Sequence, residues 1–363
     1  MQIKSSSSLT QGEPGVLHHI AYPIGHSYLK RIQTSRLTAF EYTRGSRQKP
    51  HSIIFIGGLS DGLGTVEYTS DLVAGLEDTQ WTLINLVLSC SYNGWGMGRL
   101  GADIDEIARC VQYIREYKEP HYGPSKIVLM GSSTGSQDVL HYLHCPTPRS
   151  AHPILDRDWT PVTRPPIEGA IMQAPVSDRE GILQEISNGT DRDSPVQMRE
   201  LYERAVAAAR GRTFEDEVDT VVPLSVTARI GYSTTTPVSS RRFLSLISPD
   251  SPGHPTEDDL FSSDLSDGRL AETFGMVGVR GLLRQKLLVL YSGRDQSVPP
   301  EVNKQALIER WAKAIDADGS SFWDRRSLVI PNASHQLSDP DQAEPRRILV
   351  RTVKGFLEDL EEQ

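Results

Sequence analysis

The sequence predicts an α/β fold with a mostly parallel, eight-stranded sheet flanked by helices, and three observations carry that expectation. Short apolar runs of strand length occur near residues 16–22, 36–43, 51–56, 81–88, 126–130, 167–173, 286–291 and 326–330. Between the later runs lie stretches with apolar residues at helical spacing, at 101–115, just after Ser133, at 302–317 and at 346–362. Such alternation implies parallel strands, because each crossover returns the chain through a helix laid on the sheet. The third observation is where the alternation stops. Residues 178–280 run through a polar segment at 187–195, a helix-like run at 196–210 and a Pro/Ser/Thr/Asp-rich region to Ser266. A structureless loop of that length does not suit a compact domain. The expected division is therefore a core of residues 1–177 and 281–363, with a cap or lid of residues 178–280 inserted after the sixth strand. Tyr232, Phe243 and Phe261 are the aromatics expected to line the cap cavity or to form a small core within it.

Composition limits the classes of function. At 363 residues the chain suits one large domain with an elaboration. A net charge of −9 argues against a nucleic-acid surface and is compatible with a neutral or cationic small-molecule ligand. No apolar run approaches the roughly 18 residues of a membrane span, and the first ten residues lack the apolar core of a secretory signal. The expected location is cytoplasmic, with no membrane and no nucleic-acid partner. Cys90, Cys110 and Cys145 are too few and too irregularly spaced for a disulfide framework or a zinc site. Of two Asn-x-Ser/Thr sites, at Asn188 and Asn332, the second lies three residues before His335. A glycan there would crowd the candidate site.

The most informative segment is Lys126-Ile-Val-Leu-Met-Gly-Ser-Ser-Thr-Gly135, an apolar strand run ending in Gly-x-Ser-x-Gly and followed by a helical pattern. At a sharp strand–turn–helix junction the central residue, Ser133, is pushed out over the carboxyl end of the sheet. Gly131 and Gly135 remove side chains that would collide there. A bare Gly-x-Ser-x-Gly is common, so its context decides. Asp295 lies in the polar turn after the run Lys286-Leu-Leu-Val-Leu-Tyr291, and His335 lies in the loop after the last strand run. Ser133, Asp295 and His335 thus follow the chain order of α/β-hydrolase triads, each beyond a strand end.

These residue types are what acyl transfer requires. A serine hydroxyl is a weak nucleophile at neutral pH, so an imidazole must take its proton and return it to the leaving group. His335 is the expected base and Asp295 the carboxylate that orients and stabilises it. The negative oxygen of the tetrahedral intermediate needs donors. The loop Gly57-Gly58-Leu59 after the third strand and the position after the nucleophile suggest the backbone amides of Leu59 and Thr134. A phosphate cradle is disfavoured, because no Gly-Lys-Ser/Thr follows the glycines. Thioester hydrolysis or acyl transfer would use the same residues, and a non-catalytic binding protein could keep the same pocket.

Two further candidates rank lower. Asp178 follows the sixth strand, where some hydrolases keep their acid; it ranks second to Asp295 and is expected to structure the cap entrance. His141, His144 and Cys145 follow the nucleophile on one helix, but without a fourth ligand at suitable spacing they read as helix surface. No metal and no cofactor is expected.

The segments Phe55-Ile-Gly-Gly-Leu-Ser-Asp-Gly62, Ser91-Tyr-Asn-Gly-Trp-Gly96 with Asp103 and Glu106, Gly131 to Leu143, and Gln173-Ala-Pro-Val-Ser-Asp178 resemble the DUF1749 family, a fungal branch of the α/β-hydrolases. They span most of the predicted catalytic core. The family includes an intracellular fusarinine C esterase, so the resemblance implies a small-molecule ester substrate, a ferric hydroxamate siderophore, with iron as cargo. The family motif often has His before the nucleophile, where this chain has Ser132. That difference beside the reaction centre bears on specificity.

Overall fold

The computed structural model describes residues 15–23, 34–43, 49–151, 160–211 and 219–362. All eight expected strands are present: β1 (Gly15–Pro23), β2 (Thr34–Tyr42), β3 (His51–Ile56), β4 (Trp81–Val87), β5 (Ile127–Ser132), β6 (Ile167–Gln173), β9 (Leu283–Ser292) and β10 (Leu328–Ile330). They form one sheet in the order β1-β2-β4-β3-β5-β6-β9-β10. The β1–β2 and β2–β4 pairs are antiparallel and the remaining pairs parallel. This is the α/β-hydrolase architecture, with β5 near the middle and its carboxyl end facing the same way as those of β6, β9 and β10.

Both faces are covered, which explains why the central strands read as continuous apolar runs. On one face, α1 (Tyr68–Gly75) and α11 (Ala343–Glu362) pack Tyr68, Leu72, Val353, Phe356 and Leu360 against Phe55, Met130 and Ile171. On the other, α2 (Leu100–Tyr122), α3 (Thr134–His144) and α10 (Lys304–Ile315) pack Ile107, Val111, Leu140 and Trp311 against Ile54, Leu129 and Met172. Each such fully buried apolar side chain contributes about 1.5–3 kcal/mol of transfer free energy. Helix α3 is buried along its whole length from Thr134 to Leu143. It leaves β5 at the centre of the sheet and runs beneath the neighbouring helices.

Between β6 and β9 the chain forms α4 (Asp178–Asn188), α5 (Pro195–Arg210), β7 (Val221–Val222), α6 (Leu224–Thr227), β8 (Val238–Ser239), α7 (Ser240–Ile247), α8 (Asp267–Thr273) and α9 (Met276–Arg280). Side-chain caps start four of these helices: Ser177, Ser194, Ser239 and Ser266 each accept an amide of the first turn. Met198, Leu201, Ile230, Val238, Phe243, Leu246 and Ile247 form a satellite core that also takes in Trp95. The later part differs. Leu260, Phe261, Leu270 and Phe274 join the main core, where Phe261 and Phe274 pack on Trp311 at ring separations of 5.4 and 5.3 Å. Phe243 and Phe261 are fully buried in two separate cores, and neither lines an open cavity. Tyr232 packs on Trp95 at 5.2 Å.

Candidate active site

Ser133 sits at φ 55°, ψ −125°, between the last residue of β5 and the first of α3. A non-glycine residue in such a conformation costs about 1–3 kcal/mol and is held only by its surroundings. Here the Ser133 N–H donates to Gln173 O at 2.9 Å and the Ser136 N–H donates to Ser133 O at 2.8 Å. The flanking glycines are obligatory for closeness of backbones. A Cβ at Gly131 would lie 2.1 Å from Gly135 O, and one at Gly135 would lie 2.3 Å from Ile56 O.

The two distant candidates meet Ser133. His335 Nε2 lies 2.8 Å from Ser133 Oγ, and His335 Nδ1 lies 2.8 Å from Asp295 Oδ2. Because an ionised carboxylate only accepts, the Asp295 contact requires the proton on Nδ1 and leaves Nε2 as acceptor for the serine hydroxyl. Asp295, buried in the turn after β9, also accepts from Ser297 N at 2.9 Å through Oδ1. Its neighbour Gln296 accepts the His335 N–H at 3.0 Å, so the two loops are fastened twice. Burial opposes protonation of His335, but the bond and charge of Asp295, with the charges of Asp178 and Asp61, carry its pKa above the ordinary imidazole value.

The glycine loop after β3 lies against the serine, for a Cβ at Gly58 would be 2.8 Å from Ser133 Cβ. Asp61 fixes this loop. Its Oδ2 accepts the Gly58 N–H at 2.9 Å, its Oδ1 accepts the Thr65 hydroxyl at 2.9 Å, and its own N–H donates to Gly58 O at 3.0 Å. Trp95 Nε1 holds Ser60 Oγ at 3.0 Å. Among the described residues, the amides of Leu59 and Thr134 have no acceptor. Burial pushes the Asp61 carboxyl above its usual range despite these bonds.

Gln173 is a site residue that the sequence did not single out. Its Oε1 accepts from Tyr68 Oη at 3.0 Å and Ser132 Oγ at 2.8 Å, and its Nε2 donates to Ser292 Oγ at 3.2 Å and His335 O at 3.1 Å. All four bonding positions of a fully buried amide are filled. Ser132 is therefore a buried member of this network, and its side chain faces Gln173 rather than a substrate. No local signal marks Gln173, because its partners are scattered from residue 68 to residue 335. Asp61 is more legible, as an acid three residues after Gly58 in a glycine turn.

Asp178 is half-buried and bonds Gln137 Nε2 at 2.8 Å, not His335. Burial, and then the charge of Asp258, lift it to about 6 against the lowering effect of Gln137. The expectation that His141, His144 and Cys145 form helix surface is overturned for His141, while His144 and Cys145 are half-buried. His141 is buried, since α3 is enclosed on all sides, and the three ligand-type atoms lie within 4.8 Å of one another. Burial, with the neighbouring Arg164 and Arg269, depresses both imidazoles, His144 to about 3. Those guanidiniums also oppose a cation there. A groove of about 1120 Å³ between α1 and α11, lined by Glu67, Asp71 and Arg346, contains none of the three residues meeting at Ser133.

Residues 17–358 match the family described as "Protein of unknown function (DUF1749)". The chain belongs to that family. It is 51% identical to "Esterase AN6793" of Emericella nidulans, over 96% of this chain and 93% of that protein. It is 49% identical to "Fusarinine C esterase sidJ" of Aspergillus fumigatus, over 95% of this chain and 96% of that protein. Among solved structures, "Siderophore hydrolase EstB from Aspergillus fumigatus" superposes with a TM-score of 0.82 at 48% identity, covering 97% of this chain and 99% of that one.

Proposed function

We propose that this DUF1749 protein is a serine esterase that hydrolyses ester bonds of a hydroxamate siderophore of the fusarinine C type, aiding iron release inside the cell. The observation that carries the reading is the continuous relay from Ser133 Oγ through His335 to Asp295, both links 2.8 Å long. The printed names of its relatives supply the substrate class. Iron is cargo of the substrate.

Ser133 Oγ bonds to the ester carbonyl carbon while His335 Nε2 takes its proton, giving a tetrahedral oxyanion. Asp295 stabilises the imidazolium so formed. The Leu59 and Thr134 amides donate to the oxyanion, each worth about a hundredfold to a thousandfold in turnover. Collapse breaks the carbon–oxygen ester bond, and His335 gives its proton to the departing alkoxide. Water then attacks the acyl-enzyme, deprotonated by the same nitrogen, and releases the acid and free Ser133.

The insertion of residues 178–280 serves as the cap that admits substrate, with a core of its own supporting this role. The location is cytoplasmic. Two observations support it: Cys90, Cys110 and Cys145 are free, and no helix among the described residues is long and apolar enough to cross a membrane.

The test is incubation of the wild type and Ser133→Ala with ferric fusarinine C, its acetylated form and nitrophenyl esters, read by mass spectrometry. The variant should fold and lose roughly a thousandfold or more of its turnover. Ordinary turnover by Ser133→Ala would refute the nucleophile. Cleavage of small esters alone would refute the siderophore substrate.

A further inference from the structure

Helix α3 follows the nucleophile and ends in a cluster of ligand-type side chains, about 15 Å further on at 1.5 Å per residue. Cys145 Sγ lies 3.3 Å from His141 Nε2, 3.4 Å from His141 Nδ1 and 3.9 Å from His144 Nε2. Among the described residues, neither ring has another hydrogen-bond partner. One thiol proton cannot serve both rings, so the cluster lacks a positive centre for its lone pairs.

The spacing is that of a coordination shell. A metal held at about 2.3 Å by sulfur and about 2.0 Å by nitrogen keeps those atoms about 3.5 Å apart. The sulfur–nitrogen distances here bracket that value, and all three ligand atoms fall within 4.8 Å of one another. Burial favours neutral imidazoles, which is their ligating form, and lifts the Cys145 thiol to about 11. A metal ion displaces the thiol proton: the S–H bond breaks, a sulfur–metal bond forms and the proton leaves to water.

Charge decides which ion fits. After burial, Arg269, Arg164 and Arg280 all depress His144. Their N–H groups face other acceptors. Arg164 donates to the carbonyls of His141, Tyr142, Cys145 and Pro146, Arg269 to Thr256 O and Arg280 to His144 O. The ring nitrogens are thus left clear, while the field of the guanidiniums penalises any added positive charge. A divalent ion with one thiolate adds a positive charge, whereas a monovalent ion with one thiolate adds none. Among monovalent ions, thiolate and imidazole suit Cu(I). We propose that His141, His144 and Cys145 form a three-coordinate Cu(I) site, reached from the surface through the half-buried His144 and Cys145. The ion fastens the far end of the helix that begins at the nucleophile, and takes no part in ester cleavage.

The test titrates the reduced, full-length protein, without oxygen, with Cu(I) held by the chromogenic chelator bicinchoninate. One equivalent should pass to the protein and raise its Tm, because an ion that binds the folded chain stabilises it by mass action. Cys145→Ser and His144→Asn should each weaken Cu(I) binding by about a hundredfold or more, since loss of an outer-shell partner alone costs about tenfold to a hundredfold. Cys90→Ser and Ser133→Ala should bind as the wild type does, which separates this site from the esterase reading. No transfer to the folded wild type, an affinity unmoved in both ligand variants, or a preference for Zn(II) over Cu(I) would overturn the proposal. Should the ligand variants fail to fold, X-ray absorption at the copper edge of the loaded wild type should show one sulfur and two nitrogens. A shell of sulfur alone, or of nitrogen and oxygen alone, would overturn it.

Discussion

Gln173 and His335 lie 162 residues apart in the chain, yet Gln173 Nε2 donates to His335 O at 3.1 Å. The same side chain accepts from Ser132, the residue before the nucleophile, and its own carbonyl accepts the Ser133 N–H. One residue at the end of β6 therefore sets Ser133 and the loop of His335 against each other.

Replacing Gln173 with Glu keeps the acceptor toward Ser132 and Tyr68 and removes the donors toward Ser292 and His335. Turnover should fall by about tenfold to a hundredfold through misplacement of the imidazole, with KM changed far less. Gln173→Leu should in addition lower the melting temperature, since each buried partner left unsatisfied costs about 1–3 kcal/mol. Steady-state kinetics with thermal melting separates the two effects. A rise in KM with kcat unchanged would place Gln173 in substrate binding instead.

Asp61 makes a parallel case for the oxyanion loop. In Asp61→Ala the Gly58 amide and Thr65 hydroxyl lose their common acceptor, and kcat should drop by on the order of tenfold to a hundredfold while KM stays nearly constant. Asp61→Asn should recover part of the loss, because an amide oxygen can still accept from Gly58. No recovery would mean that charge, through its attraction to His335, is what Asp61 supplies.

The pH profile follows from the direction of the His335 shift. The base must be neutral to accept a proton, and Asp295 favours its protonated form, so the rising limb of kcat/KM should lie above the free imidazole value of about 6.5. Asp295→Asn should move that limb to lower pH and depress the maximum by about a thousandfold or more. The linked effect on stability has the opposite sense. Attraction between Asp295 and protonated His335 stabilises the fold fully below about pH 6.5 and is lost as pH rises through the folded-state pKa. A limb unmoved in Asp295→Asn would show that the charges of Asp178 and Asp61, not Asp295, raise the His335 pKa.

The strands and the three residues meeting at Ser133 were legible because each rests on a local pattern: an apolar run, a turn, and a polar side chain just beyond it. In the insertion the helix-like run at 196–210 was legible, and the structure adds its start, where the side chains of Ser194 and Gln197 bond each other's backbone amides in a capping box. The surface reading of His141 failed for a definite reason. Helical spacing identifies faces, but α3 has no free face, so a polar residue there is enclosed by the rest of the chain. Gln173 was invisible for a related reason, since its significance lies in which neighbours surround it in space.

The separation of Ser133 from its base has a consequence during synthesis. The serine and its strained turn are made when more than half of the chain is still to come, whereas the imidazole arrives on a loop after β10, a strand of only three residues at the sheet edge. A nascent chain leaving the ribosome thus carries an unactivated hydroxyl. On the proposed mechanism, reactivity waits for the carboxyl-terminal portion to dock, because a copy that ends before His335 lacks the base.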